Sequence, residues 1–586
     1  MNCKPKSLFI ESISERRIMS YAWGGVESGE NSDEYLSVAR GCVSAGYDTL
    51  MTSYGLTMQK DGSINQDHIF NTLKSFETAK SLGLKLIPRF YISIVPEVLE
   101  GDYWSTGEHC PKYPDPFSDK DISSSVMYYK KLLSLFKDID NIIAFCPTFG
   151  FLGQSLFDGG NFDGSPLKRC CGYSENAKIK FNERFGFSGE LPIPFSDGEM
   201  QDHKTVLWFK FRQQQMTEYA KRILEACIGS TDKPVGMFSE SYPATFAHLS
   251  EASLIGDPVF LLQDCTFGCE TYNMANTLSE THGDVQNFNS FENYRDTIMP
   301  RLINASKKGN KLMGFWWRTK PDYSFKLLPT LISIEERFRE YDFSVSKNVG
   351  IVFTSNYSST ALPTEPDRPF SLDNSYLLAA NYPIEFIEND MPDTANWHMV
   401  SELELISKDL SVFDLVIISD YSFFEANEWS IIEKYALAGV RFLFPGEFAR
   451  SKRFRSDLKY SGHDLAGTIE FADPHFSILS HLDGMLLRNP HETSFNKFSL
   501  GLTYKGTFHN QVTLSENIPG SRDILTLSGM PLFCELQDNI FCVPNSLFRL
   551  AACFGGDHKI IADTILRCLI ITNSTSQGEH HIESYT

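Results

Sequence analysis

No apolar run in this 586-residue chain approaches the roughly 20 residues needed to cross a bilayer. Near the N-terminus the longest such run is Leu8-Phe9-Ile10, far short of the apolar stretch of a secretory signal. Positive charge is scarce: 53 Lys and Arg stand against 74 Asp and Glu, a net charge of −21. A surface that negative repels phosphate backbones and anionic lipid, so nucleic-acid and membrane partners are not expected. The 13 cysteines follow no repeated spacing. That pattern suits a reducing cytoplasm better than a disulfide framework. Also missing are a Ser-His-Asp arrangement, a Walker-type phosphate loop and a GxGxxG placed between a strand and a helix.

What is present is globular. Hydrophobic residues make up 42% and charged residues 22%, which argues against long disorder. A single compact core rarely exceeds about 250–300 residues, so two or three domains are expected. Aromatics are abundant, with 46 Phe, 24 Tyr and 7 Trp. A large core uses many of them, and aromatic-lined clefts are the other use.

Over the first 345 residues short apolar runs alternate with longer amphipathic ones, the signature of βα units and a parallel sheet. The strand runs are 17–23, 47–54, 84–91, 141–146, 234–238, 259–263, 285–290 and 312–317, with a short helix expected at 270–281. Eight βα units in about 330 residues are what a (β/α)8 TIM barrel with insertions requires; a doubly wound open sheet, the alternative, would need fewer strands. In that fold the chemistry sits just after each strand. The residues there are Trp23, Tyr54, Arg89, 148–154, Glu240, Asp264, Glu292 and 316–318, a constellation of carboxylates and aromatics. Such a set suits sugars, whose C–H faces stack on rings while their hydroxyls bond to polar groups.

Near Lys347 the pattern restarts. Strands are expected at 348–353, 384–387, 413–419 and 441–444, with helices at 371–381 and 425–439. This reads as a doubly wound unit without a phosphate-binding glycine motif, so an assembly role is expected rather than a nucleotide site. From 460 to 545 short alternating runs broken by Gly, Pro, Asn and Asp favour a small antiparallel β-unit, with a helix near 545–553.

Several segments carry a family resemblance. "FDLVIISDYSFFEANEWSIIEKYALAGVRFLFPG" from Phe413, "ASKKGNKLMGFWWR" ending at Arg318, the Cys110-Pro111 pair and "CCGYSENAKIKFNERFG" from Cys170 resemble stretches of family 42 β-galactosidases and their clan-A relatives. The likeness spans roughly residues 15–450 and is stronger in architecture than in identity. It implies an α/β fold: a TIM-barrel catalytic domain over 1–345, then a flavodoxin-like, trimerisation-type domain over 346–455. A small β-rich C-terminal domain over 456–586 completes the chain. The activity it implies is retaining hydrolysis of a β-glycosidic bond by a homo-oligomer, trimer or dimer.

Retaining glycosidases use two carboxyl groups about 5–5.5 Å apart, one a nucleophile and the other an acid/base. The resemblance puts the nucleophile after strand seven, which on the pattern above is Glu292; Glu280 takes its place if the helix expected at 270–281 is a strand. The acid/base should follow strand four, but Thr148 stands at that glutamate position, and a Gly-Glu pair of some relatives is here Gly153-Gln154. Neither threonine nor glutamine donates a proton at neutral pH. Three explanations remain. The acid comes from elsewhere, with Glu240 after strand five ranked above Asp158; substrate or water assists; or the barrel has kept sugar binding and lost hydrolysis.

Tyr242 beside Glu240, and Gln154 and Asp158 in the Gly-rich insertion, join the substrate-binding set. Arg89 can bond a sugar or hold the nucleophile ionised. At the end of the barrel either the pair Trp316 and Arg318 or Trp317 faces inward, because successive strand residues alternate; Trp316 is taken as the sugar platform. Some family 42 enzymes bind structural zinc through a cysteine cluster, and His109, Cys110, Cys170 and Cys171 fall in the matching stretches. The family's cysteine spacing is absent, so neither a metal nor another cofactor is expected. The partner expected is a carbohydrate substrate.

Overall fold

The computed structural model describes residues 13, 15–21, 32–104, 107–148, 172–192, 203–239, 259–264, 277–280, 290–307, 309–316, 322–339, 346–353, 374–407, 409–418, 426–445, 459–462, 465–491, 494–499, 502–507, 513–516 and 521–572. The fold is mixed α/β.

The first half alternates as the periodicity dictates. Its strands are β1 (Ile18–Tyr21), β2 (Thr49–Gly55), β3 (Lys85–Tyr91), β4 (Cys146–Thr148), β5 (Val235–Ser239), β6 (Val259–Asp264), β7 (Thr277–Glu280) and β8, in two runs (Lys311–Leu312 and Gly314–Trp316). Between them lie α1 (Ser32–Ser44), α2 (Gln66–Ser81), α3 (Asp119–Phe136), α4 (Glu175–Phe185), α5 (His203–Ile228) and α6 (Phe291–Lys307), and α7 (Asp322–Phe338) follows β8. The caps explain several starts. Asn65 accepts hydrogen bonds from the backbone of Asp67 and His68, Ser118 from that of Asp121, and Ser174 from that of Ala177. Each satisfies N–H groups a helix cannot pair itself and contributes about 1 kcal/mol. Gly186 closes α4 at φ +70°, where a side chain would be strained.

All pairings among these strands are parallel. One sheet runs β8-β1-β2-β3-β4 and the other β5-β6-β7-β8. A parallel bridge between Phe145 and Val235 joins β4 to β5, with Phe145 N donating to Pro234 O at 2.9 Å and Gly236 N to Phe145 O at 2.6 Å. Each strand therefore meets the next in chain order, and β8 meets both β7 and β1. The helix expected at 270–281 is not found over its last turn: Thr277–Glu280 is a strand, because its short apolar segment gains the ladder bonds of β6. Of the strand expected at 285–290, all but Ser290 lies outside the described residues.

The second half is built on one nine-stranded sheet. Its parallel part comprises β9 (Lys347–Phe353), β10 (Ala395–Ser401), β11 (Leu415–Ile418) and β12 (Arg441–Pro445). The strand expected at 384–387 is instead part of α8 (Asn374–Asp390), where Ile384, Phe386 and Ile387 are buried in the core; the sheet takes Ala395–Ser401 in its place. After β11, α9 (Ala426–Leu437) leads to β12. The later residues add β13 (Gly467–Phe471), β14 (Leu486–Leu487), β15 (Arg522–Leu527), β16 (Met530–Gln537) and β17 (Ile540–Val543) to the same sheet, in the order β10-β9-β11-β12-β17-β16-β15-β13-β14. β17 lies parallel to β12 and antiparallel to β16. Helices α10 (Asn545–Phe554) and α11 (Gly556–Ile571) pack on one face, and one hydrophobic cluster draws on residues from Val349 to Ile570.

Buried charges tie the halves together. Lys210 on α5 pairs with Glu428 on α9, and Arg301 on α6 with Glu388 on α8 at 3.4 Å. Asn304 Nδ2 on α6 donates to Trp397 O on β10 at 3.4 Å.

Candidate functional site

The strands of the first half present two faces. Met19, Tyr21, Leu50, Tyr54, Leu86, Phe90, Phe145 and Val235 pack with helical residues such as Phe76, Tyr128 and Leu132. Ile18, Met51, Ile87, Ala144, Cys146 and Met313 form a separate cluster on the other, inner face. The period of two then places Ser20, Ser53 and Arg89 on the inner face, one step nearer the strands' C-terminal ends. All three are buried, and Arg89 Nη1 on β3 donates to Ser20 Oγ on β1 at 3.5 Å, passing over β2.

Register carries the same parity to the strands further round. Leu312 packs among α6 and α7 and is the partner of Ser279, so position 280 falls on the inner face. The other route agrees: outward Val235 partners Val259, and Asp264, five residues on, has the opposite parity and partners Glu280. Positions 264 and 280 thus end neighbouring strands on the face that holds Arg89. Strand neighbours lie about 4.8 Å apart, so these two acidic positions lie side by side at the ends of their strands. Thr148, two residues beyond Cys146, ends β4 on that face, in register with Tyr91.

The sites expected from sequence are distributed as follows. Arg89 is buried near the end of β3. Glu292 is exposed in the first turn of α6, beyond β7. Trp316 ends β8 with the parity of Gly314, at which a Cβ would meet the ring of outward Tyr47 (2.9 Å from its Cζ); Phe315 has the inner parity of Met313. Gln154, Asp158, Glu240, Tyr242, Trp317 and Arg318 lie outside the described residues.

Sequence reading missed a buried carboxylate network in the loop after β3 and the first turn of α3. Asp102 accepts from Tyr103 N and Gly172 N, each at 2.7 Å. Asp115 accepts from Phe117 N at 2.9 Å and Asn176 Nδ2 at 3.0 Å. Asp121 accepts from the backbone of Glu100, Gly101 and Asp115 at 2.8–3.0 Å. Burial, with Asp115 nearby, pushes the Asp102 carboxyl well above its ordinary range, while the backbone donors and the Arg212 charge oppose the shift. No spacing in the sequence marks these aspartates, because Asp102 and Asp115 take partners from Gly172 and Asn176, far along the chain, and Asp121 takes its own from about 20 residues before it. Cys110 of the stretch considered for zinc is buried, its thiol donating to Glu108 O at 3.8 Å. Among the described residues no group of three or more His, Cys, Asp or Glu is arranged to hold a metal ion. A groove of about 710 Å³ lined by Ile69, Met127, Lys130, Leu135 and Arg222 lies on the outer helices, away from the rim.

No protein-family model matches the sequence, and no curated protein does either. Solved structures do. The β-galactosidase of Rahnella sp. R3 superposes with a TM-score of 0.57 at 12% identity, over 96% of this chain and 89% of that one. That of Bacillus circulans sp. alkalophilus gives 0.56 at 12%, over 94% and 88%. A GH42 β-galactosidase from G. stearothermophilus gives 0.54 at 8%, over 91% and 86%. At such identities the likeness shows a shared fold, that of GH42-type β-galactosidases.

Proposed function

We propose that the eight parallel strands form a (β/α)8 barrel and that the chain is a retaining β-glycosidase, with Glu280 as its nucleophile. The observation that carries this reading is the position of Glu280: last residue of the seventh strand, on the inner face, beside Asp264. In such barrels the chemistry occupies the C-terminal rim. A carboxylate there attacks the anomeric carbon and forms a glycosyl ester, which water then hydrolyses. The buried guanidinium of Arg89 on the same face favours the ionised, attacking form. Glu240, from the loop after β5, is the sequence's choice for the acid/base, and the strand at Thr277–Glu280 supports Glu280, the sequence's alternative, over Glu292. The C-terminal half takes the assembly role that the resemblance implies, in a homo-oligomer.

A 2-deoxy-2-fluoro glycoside with a dinitrophenyl leaving group tests the nucleophile. It should trap a covalent adduct, and the modified peptide should contain Glu280. An adduct on the peptide containing Glu292 would overturn the assignment.

A second reading is a sugar-binding or regulatory protein on a glycosidase barrel. It is favoured by one observation: residues 145–154, from the fourth strand onward, contain no carboxylate. Binding of sugars by calorimetry, without turnover of any activated glycoside, would select it.

A further inference from the structure

The sheet of the second half sets two cysteines opposite one another. Cys534 on β16 and Cys542 on β17 are register partners in antiparallel strands, so their side chains leave the same face as direct neighbours. That face packs against α9. Cys534 is buried in a cluster with Trp429, Ile432 and Phe444, and Cys542 lies partly exposed against the same cluster. Both are in the thiol form.

The ladder sets their separation. Phe442 N on β12 donates to Asn539 O at 2.8 Å. Alternate residues of a strand turn their backbone groups to opposite neighbours, so 539 and 541 face β12 while Cys542 faces β16. Cys534 and Cys542 are therefore a hydrogen-bonded pair, with Cα atoms about 5.5 Å apart, near the commonest span of a disulfide. Directly opposed Cβ atoms stand about 4.5–5.5 Å apart, whereas a disulfide holds them near 3.8 Å. Closing the bond draws the strands together by roughly an ångström, and a disulfide strained in this way is readily reduced.

We propose that Cys534 and Cys542 are a site of reversible oxidative modification, closed to a disulfide by hydroperoxides and reopened by thiols. Cys542 is the more exposed and reacts first. With hydrogen peroxide, its sulfur bonds to one oxygen as the O–O bond breaks. A sulfenic acid forms, and the other hydroxyl leaves as water with the thiol's proton. The Cys534 sulfur then bonds to the Cys542 sulfur, the S–O bond breaks, and that hydroxyl leaves as water with the Cys534 proton. Two electrons pass from the thiol pair to the peroxide. Two glutathione thiols return them, and glutathione disulfide is released. The bond fastens β17, the strand that completes the edge of β12, to β16.

The test takes full-length protein, reduced and then freed of reductant, and exposes it to equimolar hydrogen peroxide. The sample is alkylated in denaturant and digested without reduction. No Lys or Arg lies between Arg522 and Arg549, so one tryptic peptide carries both cysteines. That peptide should lose two hydrogen atoms and take up no alkylating agent. Further cleavage at Glu535 or Asp538 should leave two fragments held together. Cys42, Cys227 and Cys568, buried in helices, should still alkylate fully. Millimolar glutathione should return both thiols. Alkylation of both cysteines after peroxide would overturn the proposal. So would Cys542 carried to sulfinic acid beside an unchanged Cys534, or a link that glutathione leaves closed.

Cys534→Ser supplies an independent arm. The sulfenic acid on Cys542 should then persist and be captured by dimedone about tenfold more than in the parent. Equal capture in both would remove Cys534 as the resolving thiol.

Discussion

Lys210 Nζ sits 2.8 and 2.9 Å from the two carboxylate oxygens of Glu428, in a pair with 9% of either side chain exposed. It bridges α5 of the first half and α9 of the second. Removing one partner takes a charge-assisted contact from the other in a place held away from water. Lys210→Met should therefore destabilise by about 3–5 kcal/mol, and the double change Lys210→Met with Glu428→Leu should recover much of it. Urea denaturation followed by tryptophan fluorescence reads both; a double change as costly as the single one would deny the desolvation account.

Asp102 makes stability depend on pH in a defined direction. Its folded pKa is raised, so the native state holds a proton that the unfolded chain has already released. The contribution is fully present below the unfolded value of about 4 and is lost as pH rises through the folded value. Unfolding free energy should thus decline from acidic toward neutral pH. Asp102→Asn, which cannot ionise, should flatten that decline, as urea midpoints at successive pH values would register.

Gly314 is required by packing. A Cβ there would overlap the hydroxyl of buried Tyr47 and lie 2.9 Å from its Cζ. Overpacking of this kind costs about 1–3 kcal/mol, so Gly314→Ala should lower the thermal midpoint. Adding Tyr47→Phe should return part of the loss by removing the hydroxyl. No recovery would mean that the backbone of β8, rather than Tyr47, sets the limit.

Glu292 is exposed at the start of α6, where a negative charge meets the helix's positive end. Glu292→Ala should cost about 0.3–1 kcal/mol of stability through that dipole and leave glycoside turnover within threefold of the parent. Glu280→Ala should abolish turnover with little change in the melting temperature. Reversed outcomes would restore Glu292 as the nucleophile.

The sequence made the first half legible because βα alternation writes itself as a change of period, from two to 3.6. Strands β1, β2 and β3 fall where their apolar runs place them. Strand β7 was misread because four residues, Thr277–Glu280, carry too little pattern to outweigh a helical reading of their neighbours, and the ladder to β6 that decides the matter is non-local. Ile384–Ile387 erred in the opposite sense: an apolar run reads as a buried strand, yet here it lies within α8, with Ile384, Phe386 and Ile387 in the core. Arg89 was visible as a residue near the end of its strand, whereas its hydrogen bond to Ser20, two strands away, needed the strand order. The aspartates at 102, 115 and 121 were invisible because each takes a donor from elsewhere in the chain: Gly172 N, Asn176 Nδ2, and Glu100 N with Gly101 N.

The nine-stranded sheet has a consequence for the order in which the chain is made. Strand β12 is complete at residue 445, but its partner β17 is not synthesised until residues 540–543. For roughly a hundred residues of translation one edge of β12 has no ladder to join, and the cover that Cys534, Leu536 and Ile540 bring to the cluster of Phe442 and Phe444 is not yet made. The second half therefore completes late, and chains stopped before residue 540 should present that edge to one another and aggregate.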